Sequence, residues 1–453
     1  MFFSRKNEIK SINELFKKSG TSVLLYGKRR VGKTELIKEI FKNKRKIYFE
    51  CLKDTLETNL YLFIRECEKN GVIFPSYFSP KTFIDVFDFL NTLDERFYVA
   101  IDEYPYLKEL NGSGSVDSMF QNIIDHHLKN INLIISGSSL RIMNDLLKEG
   151  NPLFGRFDLT INLKEFNYLE AAQFYPNLSF YDKASFFAIF GGSPFVNKEI
   201  NPKLSLEDNI INTILKEGSE VYNYANSVLI SDVTNELQAR RLLSTIANSK
   251  KRHGELVSIL DKEKTGILSR SLNSLQEVEL IKKVAPINHL NDSKKAFYEI
   301  SDNVIRFFYT YVYQNKSQLN LLGPKAFYKE YIAKSITTFI SYRFENLVRE
   351  YFSLNVKKDM LKGIKNIGVY YYDDSINKTN GEFDVAIETS TGYEIYEAKF
   401  LRNKVKKAMI DKEAAQIKQI SAITINKIGF VSISGFEDFK CKYQLISGED
   451  LYK

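Results

Sequence analysis

The sequence predicts an α/β protein in several pieces. A parallel sheet lies at the front, a helical middle leads into a small winged arrangement, and a second α/β domain closes the chain. Three observations carry this. Short apolar runs alternate with amphipathic stretches through the first 165 residues. A glycine loop joins the first of those runs to a helical pattern. Late in the chain, two strand-like runs carry acids at alternate positions. With 453 residues the chain exceeds what one ordinary core holds, so two to four domains are expected. Hydrophobic residues at 44% and charged residues at 26% exclude a mainly disordered or collagen-like chain.

Residues 1–165 form the first expected domain. Ser22-Val23-Leu24-Leu25-Tyr26 reads as a buried strand, and Thr34 to Lys42 has helical spacing. Lys46 to Cys51, Phe97 to Ile101, Leu133 to Ile135 and Leu159 to Leu163 read as further strands. Continuous apolar strands alternating with helices argue a parallel sheet covered on both faces. Residues 166–232 lose the strand signal and read as a helical subdomain interrupted by Gly191-Gly192-Ser193-Pro194. Residues 233–300 run helix, helix, helix and then a hairpin (Leu280–Val284 with Ala296–Ile300), the winged-helix order. Residues 301–330, with Phe307, Phe308, Tyr309, Tyr311 and Tyr313, are expected to form a connecting helix with a buried face. Residues 331–453 return to α/β: a helix through Phe339 to Phe352, strands near 367–372, 382–388 and 393–400, a basic helix, and a strand at Ile428 to Ile433.

Gly27-Lys28-Arg29-Arg30-Val31-Gly32-Lys33-Thr34 fits Gly-x4-Gly-Lys-Ser/Thr between a strand and a helix, the context that motif requires. Glycines let backbone N–H groups converge on phosphate oxygens, and the helix N-terminus adds partial positive charge. Lys33 can reach the β- and γ-phosphates of ATP, and the Thr34 hydroxyl can ligate Mg²⁺. The loop together with Glu35 is the expected nucleotide-contacting stretch. Val99-Ala100-Ile101-Asp102-Glu103 ends a buried strand in two acids about 70 residues later. Asp102 would support Mg²⁺, and Glu103 would orient and deprotonate the attacking water. Ser136 at the end of the next strand either senses the γ-phosphate or belongs to a plain Ser/Gly turn. Arg156 either approaches the γ-phosphate, in cis or from a neighbouring copy, or is a surface arginine at a strand start.

These stretches resemble the archaeal and bacterial STAND-type ATPases of the AAA-like superclass that carry a C-terminal domain related to restriction nucleases. Phe2-Phe3-Ser4-Arg5-Lys6-Asn7-Glu8-Ile9 is similar to the family's Phe-x-x-Arg-x-x-Glu-Leu start, with Ser4 and Ile9 as departures. Gly192-Ser193-Pro194 is similar to the Gly-x-Pro of its helical lid. The resemblance implies a sheet of order 5-1-4-3-2, Arg5 near the nucleotide base, Pro194 packed on the nucleotide, and ATP-dependent self-association as one option.

Gly381-Glu382-Phe383-Asp384-Val385 and Tyr393-Glu394-Ile395-Tyr396-Glu397-Ala398-Lys399 read as adjacent strands. Period-2 geometry puts Glu397 and Lys399 on one face, and a hairpin can bring Asp384 beside them. Two carboxylates there would bind Mg²⁺ while Lys399 positions water. The pattern resembles the PD-(D/E)xK nuclease core. Glu345 on the preceding helix is then a further ligand candidate, and Gln416 matches a polar position on the following helix. Such a fold either cleaves or only binds.

The remaining features bound the partners. Lys and Arg number 64 against 56 Asp and Glu, leaving +8. From Arg402 to Lys427 there are seven basic and two acidic residues, and Lys250-Lys251-Arg252-His253 forms a smaller basic knot. Both fit DNA binding or a solvated surface. The third helix of the winged region carries only Arg270 between Thr265 and Leu280, which favours an adaptor role over DNA reading. Cys51, Cys67 and Cys441 suit neither a disulfide framework nor a zinc ribbon. No apolar run nears the roughly 18–20 residues a bilayer demands, and the opening residues lack signal-peptide character. A cytoplasmic chain with no membrane partner is expected.

Overall fold

The structure is a computed structural model and describes residues 4–227, 236–260, 266–374, 379–420 and 423–453. Two compact units divide the chain, Met1–Glu165 and Phe166–Lys453.

In the first unit five strands form one parallel sheet: β1 (Ser22–Tyr26), β2 (Lys46–Glu50), β3 (Phe97–Asp102), β4 (Ile131–Gly137) and β5 (Leu159–Asn162). Their order is β2-β3-β4-β1-β5, the expected order seen from the other edge. β1 and β4 are buried at every residue because helices cover both faces. Alternation along β1 divides the two cores. Leu24 and Tyr26 join Phe63, Phe87 and Phe120 on one face, while Val23 and Leu25 join Ile12, Leu36 and Ile37 on the other. In-phase pairing of Tyr26 with Gly137 and of Glu50 with Asp102 brings the C-terminal strand ends to one edge of the sheet. Ligands of open α/β sheets gather at that edge.

The second unit opens with helices, including Phe180–Phe190, Pro194–Lys198, Leu206–Thr213 and Glu220–Ser227. A side chain at Gly192 would stand 1.8 Å from the Phe166 carbonyl oxygen, so glycine is obligatory there. Helix Glu236–Asn248 follows, then β6 (Lys251–Arg252), helices His253–Leu260 and Ile267–Glu277, β7 (Ile281–Val284) and β8 (Phe297–Ile300). The three strands pair antiparallel in the order β6-β8-β7. Residues 233–235 and 261–265 of the winged region lie outside the described residues.

The stretch expected over 301–330 as a connecting helix is helical from Asn303 to Phe327, with changes of pitch and one break. Asn303–Phe307 is a short helix that passes through wider and tighter turns before helix Lys316–Phe327. That second helix breaks at Gly323, whose φ is 73°, immediately before Pro324. Proline disfavours helical backbone at the residue before it and lacks the N–H a continuing helix needs. The aromatic residues are core, as their helical spacing suggests: Phe307, Phe308, Tyr309 and Tyr311 are all buried.

Helix Ile336–Lys357 leads into β9 (Ile364–Asp374), β10 (Thr379–Thr389), β11 (Tyr393–Lys399), helix Lys407–Lys418, β12 (Ile425–Ser432) and β13 (Gln444–Ser447). The sheet order is β13-β12-β11-β10-β9. β9, β10 and β11 are antiparallel neighbours, whereas β12 and β13 run parallel to β11. The short strand β13 was not expected from the sequence. No helix among the described residues is long and apolar enough to cross a membrane.

Candidate functional site

The loop after β1 is shaped by its glycines. A side chain at Gly27 would lie 2.3 Å from the Leu163 carbonyl oxygen. Gly32, with φ 93°, caps helix Lys33–Ile40 in left-handed backbone that side chains disfavour. Lys33 is buried and donates from Nζ to the Gly27 and Lys28 carbonyls at 2.9 and 3.0 Å. Burial lowers its pKa, while Glu103 and Asp102 act to hold it charged. Arg5 braces the loop from outside: its Nη2 donates to the Val31 carbonyl at 3.1 Å and to the Lys164 carbonyl at 2.6 Å. Lys28 lies 3.6 Å from Glu165. Arg29 reaches the Tyr106 hydroxyl at 3.5 Å. Arg30 takes up left-handed backbone at φ 68°. Glu35 is exposed and turned to Lys38 at 3.0 Å. Phe2 and Phe3 of the opening stretch lie outside the described residues.

Asp102 is buried at the end of β3 and saturated with donors. Thr34 Oγ1 and Tyr48 OH donate to Oδ2 at 3.0 and 2.5 Å, and Ser136 Oγ and the Glu103 N–H donate to Oδ1 at 2.6 and 3.0 Å. Ser136 is thus spent on Asp102. Tyr48, which the sequence reading did not single out, has its pKa raised by burial and by Asp102. Glu103 adopts a left-handed backbone at φ 51°, a geometry costing a side-chain-bearing residue roughly 1–2 kcal/mol. Ser138 holds its carboxylate, donating from Oγ at 2.8 Å and from the backbone at 3.2 Å. Ser138 was visible in the sequence only as part of Ser136-Gly137-Ser138-Ser139. Gly137 between them is required, since a side chain would meet Met143 and Pro105 at 2.6 Å.

Arg156 lies three residues before β5. Its carbonyl accepts from Ser22 Oγ at 3.2 Å, at the start of β1, and its Nε donates to Asp125 at 3.0 Å. The phosphate-binding loop leaves the other end of β1, roughly 13 Å away at about 3.3 Å per residue. The Arg156 guanidinium is engaged by Asp125 and not by the loop.

The C-terminal carboxylates lie within the second unit. Phe383 pairs with Tyr370 and Ala386 with Gly368, so Asp384 and Val385 together face the single residue Val369. This β-bulge re-aims Asp384. Val385 pairs with Tyr396, and continuing that register sets Asp384 across from Glu397. Asp384 Oδ2 accepts from the Ala398 N–H at 3.1 Å. Lys399 Nζ lies 3.4 Å from Glu397 and 3.0 Å from Glu413, an acid of helix Lys407–Lys418 that the sequence reading missed. Gln416 of that helix is exposed. Arg349 donates to the Asp384 carbonyl. Burial raises the pKa of Asp384, pushes Glu397 up to about 7 and Glu345 up to about 8, with the Asp384 charge adding to the last two. Although burial opposes it, Glu397 and Glu413 raise that of Lys399. Among the described residues no three His, Cys, Asp or Glu side chains are gathered tightly enough to cage a metal unaided. Asp384 and Glu397, as paired half-buried carboxylates, fit a divalent cation that keeps some of its own water. Pro194 starts helix Pro194–Lys198 in the second unit.

Sheet, loop and paired acids define an ATPase domain of the P-loop class. Residues 2–195 match the family of ATPase domains predominantly from Archaea, and residues 308–411 match a family of archaeal and bacterial proteins of unknown function; the chain carries both. An uncharacterized protein of Methanocaldococcus jannaschii is 28% identical over 355 residues, 78% of this chain and 77% of that one. The Walker-type ATPase of Pyrococcus abyssi superposes with a TM-score of 0.50 at 18% identity, covering 68% of this chain and 96% of that chain. The STAND protein with a tetratricopeptide repeat sensor from Pyrococcus horikoshii superposes with a TM-score of 0.31 at 16% identity, over 79% and 51%.

Proposed function

We propose that the chain hydrolyses Mg-ATP, and that its nucleotide state controls a C-terminal nuclease-like domain acting on DNA. In this reading residues 166–232 are a helical lid with Pro194 against the nucleotide, 233–300 a winged helix serving as adaptor, 301–330 a connector, and 331–453 the nuclease-like domain. The observation that supports it most is the bulge that sets Asp384 across from Glu397, with Lys399 on the same strand.

At the loop, Lys33 exchanges its hold on the Gly27 and Lys28 carbonyls for β- and γ-phosphate oxygens. Thr34 and Asp102, already 3.0 Å apart, would hold Mg²⁺, the Thr34 hydroxyl directly and Asp102 through water. Mg²⁺ supplies charge neutralisation at the phosphates. Glu103, fixed by Ser138, accepts a proton from the attacking water. In the C-terminal domain Asp384 and Glu397, with Glu345 nearby, would hold a divalent cation, and Lys399 orients water at the phosphodiester. Arg156 can act only on a neighbouring copy, in an ATP-dependent assembly.

A second reading is binding without cleavage. It is favoured by Glu413, which occupies Lys399 together with Glu397. One assay separates the two: purified protein with Mg²⁺, ATP and plasmid, reading phosphate release and strand breaks together. Metal-dependent nicking that vanishes in Lys399→Ala supports cleavage. Salt-sensitive DNA binding without nicking supports the second reading, and no affinity for DNA defeats both.

A further inference from the structure

β9 and β10 carry more than Asp384. Tyr371, Tyr372 and Glu382 form one wall of a cleft of about 580 Å³, and Arg252, His289 and Lys295 of the winged region form the other. Small-ligand sites span about 300–1,000 Å³. The two walls are fastened together. Asn288 donates to the Tyr371 carbonyl at 2.7 Å and accepts from the Tyr371 N–H at 3.3 Å. Phe297 of β8 stacks on Tyr371 with ring centroids 6.4 Å apart. Lys250 pairs with Glu382 at 3.0 Å. With Glu382 answered, Arg252 and Lys295 outnumber Asp373, the other acid at the cleft.

The chemistry is that of a single strand: half-buried tyrosine rings for a base and two cations for phosphates. Glu382 stands two residues before Asp384 on β10, roughly 7 Å along the strand at about 3.3 Å per residue, and Tyr372 packs on Phe383, the residue before Asp384, with ring centroids 4.9 Å apart. We propose that this cleft receives one or two nucleotides of an unpaired DNA strand, with phosphates on Arg252 and Lys295 and a base on Tyr371 or Tyr372, and leads the strand to Asp384. The assignment rests on the reading that the C-terminal domain acts on DNA, and it names the form of DNA and its entry.

The test is fluorescence anisotropy of a short labelled single-stranded DNA on the full chain, in EDTA and without ATP. Arg252→Ala with Lys295→Ala is expected to weaken binding about tenfold and to lower the salt slope by about 1.4, at about 0.7 per phosphate contact on a single strand. Tyr372→Ala is expected to weaken it about tenfold. Arg252→Glu is a second charge variant, on an exposed side chain that leaves the tyrosine packing intact. Unchanged affinity in these variants, a preference for duplex, or binding of free dAMP that the oligonucleotide cannot displace would each overturn the cleft. The cleavage reading fails separately: a strand held in EDTA but never broken with Mg²⁺ and ATP defeats cleavage and supports the cleft. Strand breaks undiminished in the Arg252/Lys295 double variant defeat the cleft alone.

Discussion

Asp102 ends β3 and Asp384 sits midway along β10, each with a lysine close by, yet their surroundings differ. Asp102 accepts four hydrogen bonds, from Thr34, Tyr48, Ser136 and the Glu103 backbone. Asp384 accepts one from the Ala398 backbone, and burial raises its pKa. A buried carboxylate ringed by donors is at ease as an anion, whereas one left short of donors favours protonation or a cation. The acid of the N-terminal site is therefore fully partnered by its own chain. The acid of the C-terminal site has Lys399 and Arg349 near it but few direct donors.

The comparison can be broken at its strongest point first. Lys33→Ala is expected to abolish nucleotide binding in calorimetry, because nothing else in the loop delivers a buried ammonium to the phosphates; retained micromolar binding would show that the loop amides suffice. Glu103→Gln should keep nucleotide affinity and cut phosphate release by on the order of 100-fold or more. Ser138→Ala should cost on the order of 10-fold by leaving Glu103 unsteered. A wild-type rate in Glu103→Gln would remove the general-base role.

Asp384→Asn tests the other half. Without metal it should match or exceed wild-type melting temperature, since it removes a costly buried charge. Mg²⁺ or Mn²⁺ should raise the melting temperature of wild type but not of the variant. Equal shifts in both would mean that Asp384 holds no cation.

The smallest effect concerns Glu350, a half-buried acid that accepts from the Tyr168 N–H at 3.4 Å and whose pKa burial pushes up to about 7. Its ordinary value is near 4.5, so between those values the unfolded chain has already lost the proton while the folded chain keeps it. Stability should fall across that window as pH rises, by on the order of 1–3 kcal/mol. Glu350→Gln should flatten that part of a urea-denaturation profile.

What could be read in advance followed from local chemistry. The five parallel strands, the loop and Asp102-Glu103 are contiguous patterns whose period and glycines state their geometry. The Glu-x-Lys pair of β11 was legible for the same reason. Long-range partners were not: Tyr48 reaches Asp102 from another strand, Ser138 reaches Glu103, and Glu413 reaches Lys399 from a helix. The break at Gly323-Pro324 was written in the residues but hidden by the aromatic periodicity before it.

The extra residue in β10 has a further consequence. Deleting Asp384 would remove the two-against-one step opposite Val369 and leave only the shift between Glu388 and Thr389 in that ladder. Its carboxylate would go, together with the bond it accepts from the Ala398 N–H. Within such a lineage, a loss of one codon could silence the back half of the molecule while the front half went on turning over nucleotide, and only a register comparison of β9 against β10 would reveal it.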